Sequence, residues 1–166
     1  MRERIWTELT QAKFNVEFTA LYADRQRAIL RYFNMGILVF STGGVMGWRI
    51  WDNAPVLACI LIALISLFRL IQPHLIMNEK QLLNLDHIYK FYFDYYNKLE
   101  RLWFDLEHDT VDEQGCKDIF FEIKNQEADI NQIVNETIRT KPKRLVMMAS
   151  EYSNNYFKQS FNSTGS

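Results

Sequence analysis

The side chains best suited to metal binding or covalent catalysis are three histidines, His74, His87 and His108, and two cysteines, Cys59 and Cys116. None of them meets another at a spacing that chemistry uses. The nearest approach to a ligand set is Asp105, His108, Asp109 and Asp112. That spacing fits no closed metal site and reads as the solvated end of a helix, so neither a metal nor another cofactor is expected. The chain has no GxxxxGK[ST], GxGxxG or HExxH pattern, which leaves phosphate cradling and hydrolysis without a sequence basis, and no enzyme is expected. The tyrosines of residues 89–96, with Lys90, could stack on bases, but their helical period makes them a packing face. With 19 basic and 20 acidic residues the net charge is -1, so no overall field favours nucleic acid as a partner.

A second group of residues points to helix packing in an apolar solvent. Gly36, Gly43 and Gly47 fall on one side of a helix, and Gly43 with Gly47 forms a GxxxG, a spacing that lets backbones approach closely. That face could pack within the chain or against a second protomer. Arg69 follows the uncharged stretch 54–68 and shares a helix face with Ser66 and Pro73. Two readings stand side by side for it. It snorkels to headgroups, or it rings the mouth of an oligomeric pore.

The elements that must carry these residues are two apolar runs, 32–48 and 54–71, separated by the polar break 49–53. The mean hydropathy of the whole chain is -0.21, so this apolarity is concentrated rather than spread. Runs of about 17 and 18 residues reach roughly 25–27 Å as helices, close to a ~30 Å hydrocarbon core. A soluble core helix normally keeps a polar stripe, which neither run has, while Trp48 and Trp51 flank the break like an interfacial belt. The expectation is an all-α membrane protein: a two-span transmembrane helical hairpin, spans 32–48 and 54–71, with a cytoplasmic helical bundle or coiled-coil domain. Lys13, Arg25, Arg27 and Arg31 precede the first run and Lys80 and Lys90 follow the second, which places both termini in the cytoplasm. The two cysteines are too few for a disulfide framework, in keeping with that placement.

The remaining chain reads as helix. An N-terminal amphipathic segment (1–31) carries Ile5, Leu9, Ala12 and Val16 at helical spacing. The hairpin occupies 32–77 and the helical domain 78–161, with 162–166 as a small polar tail. From 78 to 108 the residues Leu85, Ile88, Tyr92, Tyr95, Leu99, Leu102 and Leu106 alternate at three and four, the a/d signature of a coiled coil, and are candidates for oligomerisation. Leu82, Tyr89, Tyr96 and Trp103 form a second stripe beside them, wide enough for a helix with two neighbours. Thr110 and Glu113 have capping-box spacing and announce a further helix, with Cys116, Ile119, Phe120, Ile123, Ile130, Ile133 and Val134 on one face, interrupted at Gln126 and Glu127. Pro142 opens a last helix with Leu145, Ala149, Tyr152, Tyr156 and Phe157 on one side.

This layout resembles the SLATT family of small two-transmembrane bacterial effectors. The likeness lies in residues 25–32 leading into the first run, in Pro142 followed by Lys143, Arg144 and Leu145, and in the Ala149, Tyr156, Phe157 ending. The resemblance implies an oligomerising effector that opens a pore in, or disrupts, the inner membrane in antiviral defence. Its partners would be the lipid bilayer, copies of itself, and a separately encoded sensor or nucleotide-cyclase-linked protein. The alternative is a non-conducting, membrane-anchored scaffold that docks a cytosolic partner.

Overall fold

In the computed structural model the described residues are 1–46, 56, 59–60, 62–67, 70 and 76–161. Among them the chain is helical, with no strand: α1 (Arg2–Met46), α2 (Glu79–Glu107), α3 (Glu113–Asn125), α4 (Glu127–Thr137) and α5 (Lys143–Phe161). It divides into two compact units. Unit 1 comprises Met1–Ala23 and Leu83–Ser166, and unit 2 comprises Asp24–Leu82.

Unit 1 is an up-down-up-down helical bundle. α1 contributes Ile5, Leu9, Ala12, Val16, Thr19 and Ala23, buried at alternating spacings of four and three. α2 meets it with Leu85, Ile88, Tyr92, Tyr95, Leu99 and Leu102. The two run antiparallel: Arg2 donates to the Leu106 carbonyl at 3.2 Å, and the Trp6 and Trp103 rings lie 4.9 Å apart. α3 runs alongside α1, with the Arg4 guanidinium 5.2 Å from the Phe121 ring and Lys124 on Glu8 at 2.7 Å. α5 runs alongside α2, with Tyr156 against Tyr96 and Phe161 stacked on Phe104. Cys116, Phe120, Ile123, Ile130, Leu145, Ala149 and Phe157 complete the interior. On α5 the inward series is Leu145, Ala149, Ser153 and Phe157, and Tyr152 lies outside it, exposed.

Local chemistry sets the helix ends. Asn78 and Gln81 form a reciprocal capping box at the start of α2: the Asn78 N–H donates to Gln81 Oε1 at 3.0 Å and the Gln81 N–H to Asn78 Oδ1 at 2.8 Å. α2 ends with Asp109 in the left-handed region at φ 53°, while the Thr110 N–H returns to the Asp105 carbonyl at 2.9 Å, a Schellman closure. Thr110 therefore closes α2 and does not cap α3. The α3 cap is Asp112, whose Oδ1 accepts from the Gly115 N–H at 3.2 Å. A Cβ on Gly115 would come within 2.7 Å of that oxygen. The helix expected from 113 onward breaks at Gln126, which stays in a helical conformation and separates α3 from α4. Lys98 of α2 holds the break by donating to Gln126 Oε1 at 2.7 Å.

The membrane hairpin is corrected here. Among the described residues no helix is long and apolar enough to cross a membrane. The first run is the last third of the 45-residue α1. The longest described stretch of the second run is 62–67, and the rest of that expected span lies largely outside the described residues. The transmembrane fold class, the channel assignment and the inner-membrane location all rested on those spans and fall with them.

Candidate functional site

The oligomerisation candidates occupy the interior of unit 1. Leu85, Ile88, Tyr92, Tyr95, Leu99 and Leu102 are buried by helices of the same chain, and Leu106 is half-buried. A seam used up in this way leaves no side chains for a second protomer. Of the packing and pore candidates, Gly36 lies in α1 with open space where a Cβ would stand. Ser66 is exposed and donates to the Ile62 carbonyl at 2.8 Å. Gly43 falls in α1 where only the backbone is described, and Gly47 and Arg69 lie outside the described residues.

Two polar networks cross the bundle, and neither followed from the heptad pattern. In the first, Glu8 of α1 accepts from the Tyr95 hydroxyl of α2 at 2.9 Å and from Lys124 of α3 at 2.7 Å, and Lys124 also reaches Glu127 at 3.5 Å. In the second, the Lys13 ammonium lies 4.2 Å from the Tyr156 ring and 5.3 Å from that of Tyr96, and pairs with Glu17 at 2.9 Å. The Tyr156 hydroxyl donates to Glu100 at 2.8 Å, and the Tyr96 hydroxyl donates to the same carboxylate. The available signal was pairing across helices, with acidic and basic residues beside the apolar positions of α1. Periodicity alone does not match them.

The electrostatics keep the buried phenols of α2 protonated, and Tyr95 and Tyr96 donate. Burial, reinforced by Glu127, pushes the Tyr92 phenol up to about 12. Burial and then Glu8 raise Tyr95 further, and burial followed by the Glu100 hydrogen bond does the same for Tyr96. Burial alone would lower Lys124, but the hydrogen bond and charge of Glu8, with Glu127, outweigh it and hold the ammonium above its ordinary range. Burial also raises the Cys116 thiol, which suits an inert core residue.

All four residues weighed as metal ligands have other partners, Asp105 Oδ1 accepting from the Thr110 hydroxyl at 3.4 Å. His108 Nδ1 lies 2.8 Å from the Phe104 carbonyl, Asp109 pairs with Arg2 at 3.6 Å, and Asp112 caps α3. No group of three or more metal-binding side chains occurs among the described residues.

The most extensive candidate feature is the apolar surface of unit 2. Eleven large apolar side chains between Ile29 and Leu70 are 37–72 % exposed, and Ile76 is the one buried residue of this unit among those described. On α1, Leu30, Phe33 and Ile37 take the half-covered side while Ile29, Tyr32 and Met35 take the exposed one. A helix apolar on every side is stable only when it is covered. By contrast, the exposed face of the same helix in unit 1 carries Arg2, Glu3, Arg4, Thr7 and Gln11.

No protein-family model matches this sequence, and no curated protein or solved structure matches it.

Proposed function

We propose that the chain is a non-catalytic assembly module: unit 1 is a self-contained helical bundle, and unit 2 is the surface through which copies of the chain associate. The observation that carries this reading is the apolar surface of unit 2. Side chains exposed to that degree offer on the order of 1,000 Å² of apolar area, more than the ~300–600 Å² patch of an ordinary monomer and above the ~800 Å² that each partner contributes to a standard interface. A net charge of -1 offers little repulsion to self-association. With no nucleotide-binding pattern in the sequence, the trigger would sit on a separate sensor polypeptide, which would act by favouring the assembled state. A membrane pore is no part of this reading, because the spans it requires are not there among the described residues.

Sedimentation velocity of the full chain without detergent tests it. The expected result is a concentration-dependent oligomer that Tyr32→Glu with Leu64→Glu converts to monomer. A monodisperse monomer at 100-fold the concentration of first detection, with unit 2 still helical, would overturn assembly and leave a scaffold for a different partner.

A further inference from the structure

The turn between α4 and α5 gathers Arg139, Lys141, Lys143 and Arg144, four cations within six residues, all exposed. None has a carboxylate partner among the described residues. Elsewhere in unit 1 four of nine cations pair with carboxylates, Arg2 with Asp109, Lys13 with Glu17, Lys117 with Glu113, and Lys124 with Glu8 and Glu127, but the other five are not gathered in one turn.

The fold gains nothing from this grouping. The four charges repel one another, and Lys143 and Arg144 lie in the first turn of α5, where the helix dipole disfavours cations. No acidic residue offsets them in that turn. No described carboxylate forms an ion pair with any of the four. A charge concentration that costs stability and finds no internal counter-charge is suited to an external one.

We infer that this turn binds a compact phosphate-bearing anion. A single carboxylate brings one negative charge, whereas a phosphate group or pyrophosphate brings several on closely spaced oxygens, matching two guanidinium forks and two ammonium groups over one short turn. Pyrophosphate in solution and a phosphate headgroup at a lipid surface share that chemistry, and binding assays separate them.

The full-length chain is titrated with pyrophosphate, with phosphatidylcholine vesicles containing or lacking phosphatidic acid, and with poly-glutamate. The comparison protein carries Arg139→Gln, Lys141→Gln, Lys143→Gln and Arg144→Gln. Since all four side chains are exposed and repel one another, circular dichroism should be unchanged and the melting temperature equal or slightly higher in the variant. Expected is salt-sensitive binding to pyrophosphate or to the phosphatidic-acid vesicles, weakened about tenfold or more in the variant. Pyrophosphate binding identifies a soluble ligand, and vesicle binding alone identifies a headgroup. Equal binding by both proteins, binding to neither phosphate source, or poly-glutamate binding as tightly as pyrophosphate would overturn the inference. In the unmodified protein, pyrophosphate-induced amide shifts should centre on residues 139–145; shifts centred elsewhere would also overturn it.

Discussion

Glu8 joins three helices through one carboxylate, taking a hydrogen bond from Tyr95 and a charged one from Lys124. Its removal strands the Tyr95 hydroxyl and leaves Lys124 with Glu127 alone. Glu8→Ala should therefore cost about 2–3 kcal/mol, well above a typical surface change. A double-mutant cycle with Lys124→Met should show a coupling of about 1 kcal/mol in urea denaturation, and additive losses would mean the pair is incidental. The buried phenols add a pH dependence of fixed sign. Tyr92 titrates at about 12 in the fold against an ordinary 10.0, so its contribution is whole below pH 10 and is lost as the pH rises toward 12. Tyr95, Tyr96 and Lys124 are raised too and act in the same direction. The urea midpoint should thus fall above pH 10, and Tyr92→Phe should flatten that slope by up to about 1.4 kcal/mol per pH unit. A midpoint that does not move between pH 8 and pH 11 would contradict the buried-donor assignment. None of this was legible from the sequence, because Glu8, Tyr95 and Lys124 lie far apart in the chain and no local pattern relates them.

At the scale of elements, the ends of helices separate what the sequence could specify from what it could not. The a/d series of α2 was legible since apolar spacing encodes a buried face directly, and six of its seven residues are buried. The α2–α3 junction was not, because Thr110 with Glu113 has the spacing of a capping box, while tertiary closure gives Thr110 to Asp105 and the cap to Asp112. The closure has a testable geometry. Asp109 holds φ 53°, which asparagine-like and glycine residues tolerate and β-branched ones do not. Asp109→Val should lower stability by about 1–2 kcal/mol, whereas Asp109→Gly should stay within about 0.5 kcal/mol of the parent. The exposed Arg2 pair contributes little to that difference. Asp112→Ala should cost about 1 kcal/mol through the lost cap, while Thr110→Ala leaves that cap in place. Thermal melts of the four variants rank them, and equal losses for valine and glycine at 109 would refute the left-handed closure.

For the whole molecule, residues 32–71 read as the most apolar part of the chain, yet no helix among the described residues is long and apolar enough to cross a membrane. Composition reports that a segment must leave water but not what replaces water. Under the proposed assembly that apolarity serves contact between copies, and the two units should respond differently to charge. A glutamate at Met35, Leu64 or Leu67 enters an exposed face, so it should dissociate the assembly while leaving the unit 1 melting transition within a few degrees of the parent. A glutamate at Leu99, which is fully buried between helices of its own chain, should instead abolish the fold of unit 1 through an uncompensated interior charge. Near-ultraviolet circular dichroism of the Trp6–Trp103 pair reports unit 1, and sedimentation velocity reports association. Should Leu64→Glu collapse the tryptophan signal, or leave the oligomer intact, the surface of unit 2 would not be where copies of this chain meet.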